Sequence, residues 1–202
     1  QADHLKSQLA RAQARLKEAN DVASIDALTG LANRRQGDAA LARAISRGIR
    51  VSLLLIDLDG FKDINDKYGH KQGDQLLTLF AAGLRDCVRS ADLACRWGGD
   101  EFLVILRDTD LVMAERIASR IRTDAFGVAC LSYSGRQVHV RIEGSIGIAE
   151  HAPNETTEEL FDRADRLLYE EKKQRAYSER CRSAFRTDAD RDSNLMPITI
   201  PK

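Results

Sequence analysis

The 202-residue sequence predicts an α/β fold, a sandwich whose central sheet of about five strands mixes parallel and antiparallel neighbours under a cover of helices. Three observations predict it. "VSLLLIDLD" (51–59) is a nearly continuous apolar run ending in acids, which suits a central strand covered on both faces. "RWGGDEFLVIL" (96–106) places two short strand-forming runs around a glycine pair, the pattern of a hairpin. Between and after them apolar residues recur at helical spacing, giving the order strand, helix, hairpin, helix, strand, helix.

Residues 1–25 open the chain with many Ala, Leu, Gln, Lys and Arg and no Gly or Pro. Leu5, Leu9, Ala12, Leu16 and Ala19 are spaced four, three, four, three, a heptad seam that predicts a signalling helix of coiled-coil type. A single amphipathic helix packed on its own domain is the alternative. Because the sequence starts at Gln1 and not Met, a longer protein is expected, with a sensor or membrane segment upstream. A turn-rich junction, "DALTGLANRR" (26–35), opens a domain expected to span 26–180, followed by a helix through Leu41, Ala44 and Ile45. After strand 51–59 and a polar segment, 60–74, a helix aligns Leu77, Phe80, Leu84 and Val88. The glycine-pair hairpin has strands near 92–96 and 101–106, and the next helix carries Met113, Ile117 and Ile121. A second hairpin turns at "SYSGRQ" and ends in one long strand, "HVRIEGSIGIAE". The last helix, about 157–174, buries Leu160, Phe161, Ala164 and Leu168, and 181–202 reads as a tail without periodicity.

Composition narrows the function. Lys+Arg and Asp+Glu both number 31, so the net charge is zero and no general attraction to nucleic acid or a membrane surface is expected. No apolar run approaches a membrane span, so any membrane link would come through an upstream region. Cys87, Cys95, Cys130 and Cys181 lack paired spacing, which speaks for reduced, mostly buried thiols in a cytoplasmic protein. His4, His70, His139 and His151 are too dispersed for a histidine metal cluster.

The first strand and the hairpin should lie side by side, bringing Asp57 close to Asp100 and Glu101. Three converging carboxylates repel one another without a cation, and oxygen-only ligation favours Mg²⁺ or Mn²⁺. A plain Asp-containing turn is the simpler account of the tetrapeptide taken alone.

Several motifs in order now make the chain recognisable: "DALTGLANRR", "DLDGFKDINDKYGHKQGDQLL" (57–77), "RWGGDEF", "GSIGIAE" and "RADRLLYEEKK". Together they resemble the GGDEF family of diguanylate cyclases, bacterial enzymes that make cyclic di-GMP from two GTP, over roughly residues 26–175. The resemblance implies a nucleotidyl-cyclase fold of the polymerase-palm type. It implies Asp57 and Asp100 as metal ligands with the Leu58 carbonyl, Asp100 as base on the attacking 3′-hydroxyl, and Glu101 supporting metal or ligand beside it. Gly98 and Gly99 would let phosphate approach the backbone, a role compatible with closing the turn. Asn65 and Asp74 would read guanine, whose N1–H and N2–H donors suit a carboxylate, with Phe61 in the same substrate site. Taken alone, Asn65 could cap a turn and Asp74 the next helix.

Lys62 and Lys172 would bring positive charge to the triphosphate, and Lys62 is counted with the catalytic groups. The family follows its lysine with a Gly-Arg-Asn turn; here the text is "KKQRAYSE", and Arg175 falls one place early. Arg89 and Asp92 ("RSAD") match the spacing of the family's inhibitory product site, and Arg120 the place of a guanine-stacking arginine. The implied activity is condensation of two GTP to cyclic di-GMP by a homodimer that its product inhibits. A catalytically weak receptor for cyclic di-GMP or GTP is the alternative, opposed by the intact acids. An adenine-using cyclase is opposed by Asp74.

Overall fold

A computed structural model describes residues 24–189, with side chains described to residue 177. The expected helix at 1–25 thus falls almost wholly outside the described residues, as do 190–202 of the expected tail.

The elements are β1 (Ala32–Asn33), α1 (Arg34–Ser46), β2 (Val51–Leu58), α2 (Phe61–Tyr68), α3 (His70–Asp86), β3 (Leu93–Gly98) and β4 (Glu101–Arg107). They continue with α4 (Leu111–Arg120), a π-helical turn (Ile121–Ala125), β5 (Gly127–Tyr133), β6 (Arg136–Ile142), β7 (Gly144–Glu150) and α5 (Thr157–Ala189). The five-stranded sheet runs β1-β3-β4-β2-β7, with β1 parallel to β3 and the other neighbours antiparallel. This is the mixed sheet the sequence predicts.

Central strand β2 is buried on both faces, and its alternating side chains divide the core in two. Leu54 and Ile56 join Phe102 and Val104 of β4 under Leu76, Phe80 and Leu84 of α3. On the other face Leu53 and Leu55 join Leu103 and Ile105 under Leu41 of α1 and Leu160, Ala164 and Leu168 of α5. Ser52 is tolerated in the core because its hydroxyl donates to the Thr109 carbonyl (2.8 Å). Side-chain caps start three of the helices: Asn33 accepts from Gln36 N, Asp110 from Met113 N and Thr156 Oγ1 from Glu159 N.

The structure departs from the sequence reading in several places. The polar segment 60–74 is helical, divided into α2 and α3 at Gly69 (φ 94°). The run "HVRIEGSIGIAE" breaks at Glu143: β6 pairs with β5 in a separate ribbon, while β7 joins the central sheet beside β2. Phe126 and β2 press on that break, where a Cβ on Gly144 would stand 2.7 Å from the Asp57 carbonyl. Helix α5 continues to Ala189, well beyond the expected end near 174. Cys87 and Cys95 are buried, and burial pushes the Cys95 thiol up to about 12; Cys130 is exposed.

Candidate active site

Backbone pairing alone assembles the acidic end of the sheet. In the β2–β4 ladder Asp57 stands opposite Glu101, and the Leu58 N–H donates to the Asp100 carbonyl (3.2 Å). Helix α5 then brings a cation across: Lys172 Nζ lies 2.8 Å from Asp57 Oδ2. That approach depends on Gly147 of β7, where a Cβ would stand 2.6 Å from Leu168 N, so any side chain would lift α5 off the sheet.

Electrostatics at this end are strained. Burial, then the charge of Asp57, raises the Asp100 carboxyl above its ordinary value. Glu101 is raised by burial first, then by Asp57 and Asp100. Asp59, two residues beyond Asp57, is raised mainly by burial, against the pull of Arg175. Arg175 Nε approaches Asp59 Oδ2 to 3.2 Å, and a second guanidinium nitrogen lies 3.7 Å from Glu143. The Nε is buried yet makes no hydrogen bond, so the pairing is purely electrostatic. Position 175 therefore reaches the acidic end although it falls one place early.

The donors are all oxygen: two carboxylates on adjacent strands, a third beside them, and the intervening backbone carbonyls. Such a set fits a hard divalent cation. Among the described residues no three His, Cys, Asp or Glu side chains form a ready-made metal cluster.

The turn carrying the acids is held from outside by Arg96, a role that its place in "RWGGDEF" does not reveal. Its guanidinium donates twice to the Gly99 carbonyl (3.1 and 2.9 Å) and reaches both Asp26 carboxylate oxygens at 3.4 Å. Asp26 is itself fixed by the Thr29 N–H and hydroxyl. Beside Arg96, Trp97 stacks on Phe161 of α5 with centroids 4.7 Å apart. Gly99 has φ +48° and open space at its Cβ position; a Cβ on Gly98 would meet only Glu101 Oε2, at 3.8 Å. The fold gives Gly98 no steric reason to be glycine, so the room above the turn is left for something else.

The proposed base readers sit on neighbouring helices, Asn65 on α2 and Asp74 on α3. Gly73 lets Asn65 and Phe61 lie against α3: a Cβ there would stand 2.0 Å from Asn65 Oδ1 and 3.2 Å from Phe61 Cζ. Asp74 is exposed, Asn65 and Phe61 half-buried, and Lys62, in the first turn of α2, is exposed.

Arg89 and Asp92 lie elsewhere, just before β3, whereas the glycine turn follows it; six residues of strand separate them, about 20 Å. The Asp92 carboxylate accepts the backbone N–H groups of Arg89 (3.1 Å) and Arg107 (3.2 Å), which orders the loop and leaves the Arg89 side chain exposed. Arg120 donates to the Cys87 carbonyl at the start of that loop. A pocket of about 320 Å³ lies here, lined by Arg85, Arg89, Ser90 and Asp92 among others. No described helix is long and apolar enough to cross a membrane.

Comparison with known proteins identifies the family. The sequence profile of the family described as "Diguanylate cyclase, GGDEF domain" matches residues 23–178. The response regulator PleD of Caulobacter vibrioides is 45% identical over 157 residues, covering 75% of this chain and 34% of the regulator. Diguanylate cyclase DgcM of Escherichia coli is 44% identical over 165 residues, 79% of this chain and 39% of that enzyme. The chain thus spans little more than a third of either relative. Among solved structures, the coiled coil and GGDEF domain of DgcB from Caulobacter crescentus, in complex with c-di-GMP, superposes with TM-score 0.72 at 28% identity, covering 84% of this chain and 91% of that one. Diguanylate cyclase SiaD from Pseudomonas aeruginosa, in complex with its activator SiaC, gives TM-score 0.69 at 30% identity over 85% of this chain and 68% of that one. By profile, by sequence and by fold, the chain belongs to the GGDEF family of diguanylate cyclase domains.

Proposed function

We propose that this domain condenses two GTP into cyclic di-GMP with release of two pyrophosphates. The observation that carries the reading is the pairing of Asp57 with Glu101 across β2 and β4, under Lys172 and beside a glycine turn with open space above it. In this reading Asp57, Asp100 and the Leu58 carbonyl hold Mg²⁺ or Mn²⁺. When bound, that ion supplies charge at the α-phosphate and lowers the pKa of the attacking 3′-hydroxyl. Asp100 accepts the hydroxyl proton. Glu101 holds the ion or nucleotide from the adjacent position. Gly98 and Gly99 let phosphate oxygens approach the backbone, while Lys62, Lys172 and Arg175 offset triphosphate charge. Asn65 and Asp74 accept and donate along the guanine edge, with Phe61 closing the base side.

One domain presents one such acidic end and one base-reading pair. Joining two nucleotides in a ring therefore calls for two domains facing each other, and a homodimer is the proposed active form. Cyclic di-GMP is proposed to bind back at Arg89, Asp92 and Arg120 and slow turnover. The domain is proposed to work in the cytoplasm, where GTP is, with residues 1–25 as the connection to a regulating region and any membrane link through that region. The test is direct: incubate the purified chain with GTP and Mg²⁺, then separate the products by chromatography. Cyclic di-GMP and pyrophosphate in a ratio of one to two support the reading; GTP binding without product supports a receptor instead.

A further inference from the structure

The β5–β6 ribbon stands apart from the central sheet, yet it packs on α3, the helix that carries Asp74. Its inward residues Leu131, Val140 and Ile142 are buried in the same core as Phe80, and this already anchors it. The tip does something further. The outer edge of β5 pairs with two side chains of α3 in place of another strand: Gln72 Nε2 donates to the Ser132 carbonyl (2.9 Å), and the Ser132 N–H donates to Gln75 Oε1 (3.3 Å). The next residue, Tyr133, meets Tyr68 at the end of α2 edge to face, with centroids 5.4 Å apart. One tip thus grips both helices of the base-reading pair. Tyr68 lies three residues after Asn65, Gln72 and Gln75 flank Asp74, and Gly69 alone joins the two helices.

We propose that the ribbon tip is a positioning device for base recognition, pinning α2 against α3 so that Asn65 and Asp74 keep their spacing. Gln72, Gln75, Tyr68 and Tyr133 are its positioning residues. The inference rests on the reading of Asn65 and Asp74 as the groups that contact guanine. These contacts lie at the surface, so they add little to global stability, whereas a recognition site tolerates only small displacements of its hydrogen-bonding groups. The grip also has a polarity: position 72 must donate to a carbonyl, and position 75 must accept from an N–H.

That polarity supplies the test. Calorimetry would measure the affinity of the purified chain for α,β-methylene analogues of guanosine and inosine triphosphate, which cannot release pyrophosphate. Inosine lacks the exocyclic 2-amino donor, so the ratio of the two constants reports base reading, and changes in overall charge cancel. Gln72→Glu, which turns a carboxylate toward the Ser132 carbonyl, should lower the preference for guanosine roughly fivefold, about the worth of one hydrogen bond. Gln75→Glu keeps its acceptor and should leave the preference unchanged, with Tm nearly unaltered in both. Asp74→Ser is the reference and should lose the preference. If Asp74→Ser loses it while Gln72→Glu keeps it, the pin is overturned and the base-reading assignment stands. Equal loss in both glutamate variants, or loss that follows a fallen Tm, also overturns the pin. If Asp74→Ser keeps the wild-type preference, the base-reading assignment has failed and the pin falls with it.

Discussion

Lys172 Nζ lies 2.8 Å from Asp57 Oδ2, so the helix that closes the domain ends its approach on the carboxylate at the tip of the central strand. Around this pair stand Asp59, Asp100 and Glu101, each raised by burial and by the charge of Asp57. Lys172 is therefore the counter-charge of an acidic cluster as well as a proposed phosphate ligand. Lys172→Met should raise the KM for GTP several-fold and lower Tm in EDTA by a few degrees, a partly exposed ion pair being worth about 1 kcal/mol at most. Steady-state kinetics and thermal melts check it; an unchanged KM would remove Lys172 from the substrate site.

Neutralising an acid of this cluster should stabilise the protein while it disables chemistry. Asp100→Asn should melt above wild type in EDTA at pH 7, by roughly 1–4 °C. The sign follows from linkage. A carboxyl raised in the folded state binds more protons there than in the unfolded chain, so its stability contribution is full below the ordinary value of 3.8 and lost as pH rises through the raised one. The advantage of Asn should hence vanish below that value and grow above it. Melting curves from pH 3.5 to 8 decide this, and a constant difference would contradict the account.

Arg96 should matter to turnover without touching substrate. Its double hydrogen bond to the Gly99 carbonyl, tied to Asp26, fixes the turn that presents Asp100. Arg96→Ala should lower kcat by about tenfold or more with a smaller change in KM, since the loss falls on alignment. Arg96→Lys keeps the charge but not the fork and should recover only part. A variant with normal kcat would reduce Arg96 to a surface ion pair.

Gly147 is the predicted weak point of the fold. Gly147→Ala presses a methyl into the α5 backbone at Leu168, one turn before Lys172, and should cost about 1–3 kcal/mol. Denaturant unfolding measures it. A neutral effect would mean that α5 moves freely over the sheet.

Much of this site was legible because its parts are local. An apolar run ending in acids gave β2, and a glycine pair between strand-forming runs gave β3 and β4. Once those strands are neighbours, register does the rest and sets Asp57 against Glu101. What escaped depends on the third dimension. The break between β6 and β7 was hidden because alternation continues on both sides of Glu143; the chain changes sheets there beside Phe126 and β2, which leave no room for a Cβ at Gly144. Helix α2 and the first turn of α3 look polar because they lie at the surface, with α2 burying no residue fully. Helix α5 outran its expected end because residues 176–189 contain no Gly or Pro to stop it. Arg96 is tied to the Asp26 carboxylate 70 residues away, and the Ser132 backbone meets the side chains of Gln72 and Gln75, links that no periodicity reveals.

Asp57 and Asp100, set together by the β2–β4 ladder, are proposed to hold the ion needed to join two GTP into cyclic di-GMP. The most direct test is the initial rate of cyclic di-GMP formation by the wild type, Asp57→Ala and Asp100→Ala at the same protein concentration with Mg²⁺, after circular dichroism shows all three folded. Product is expected from the wild type and a loss of at least a hundredfold in both variants, as when a metal ligand or base is removed. Near-normal production by folded Asp100→Ala would contradict that role.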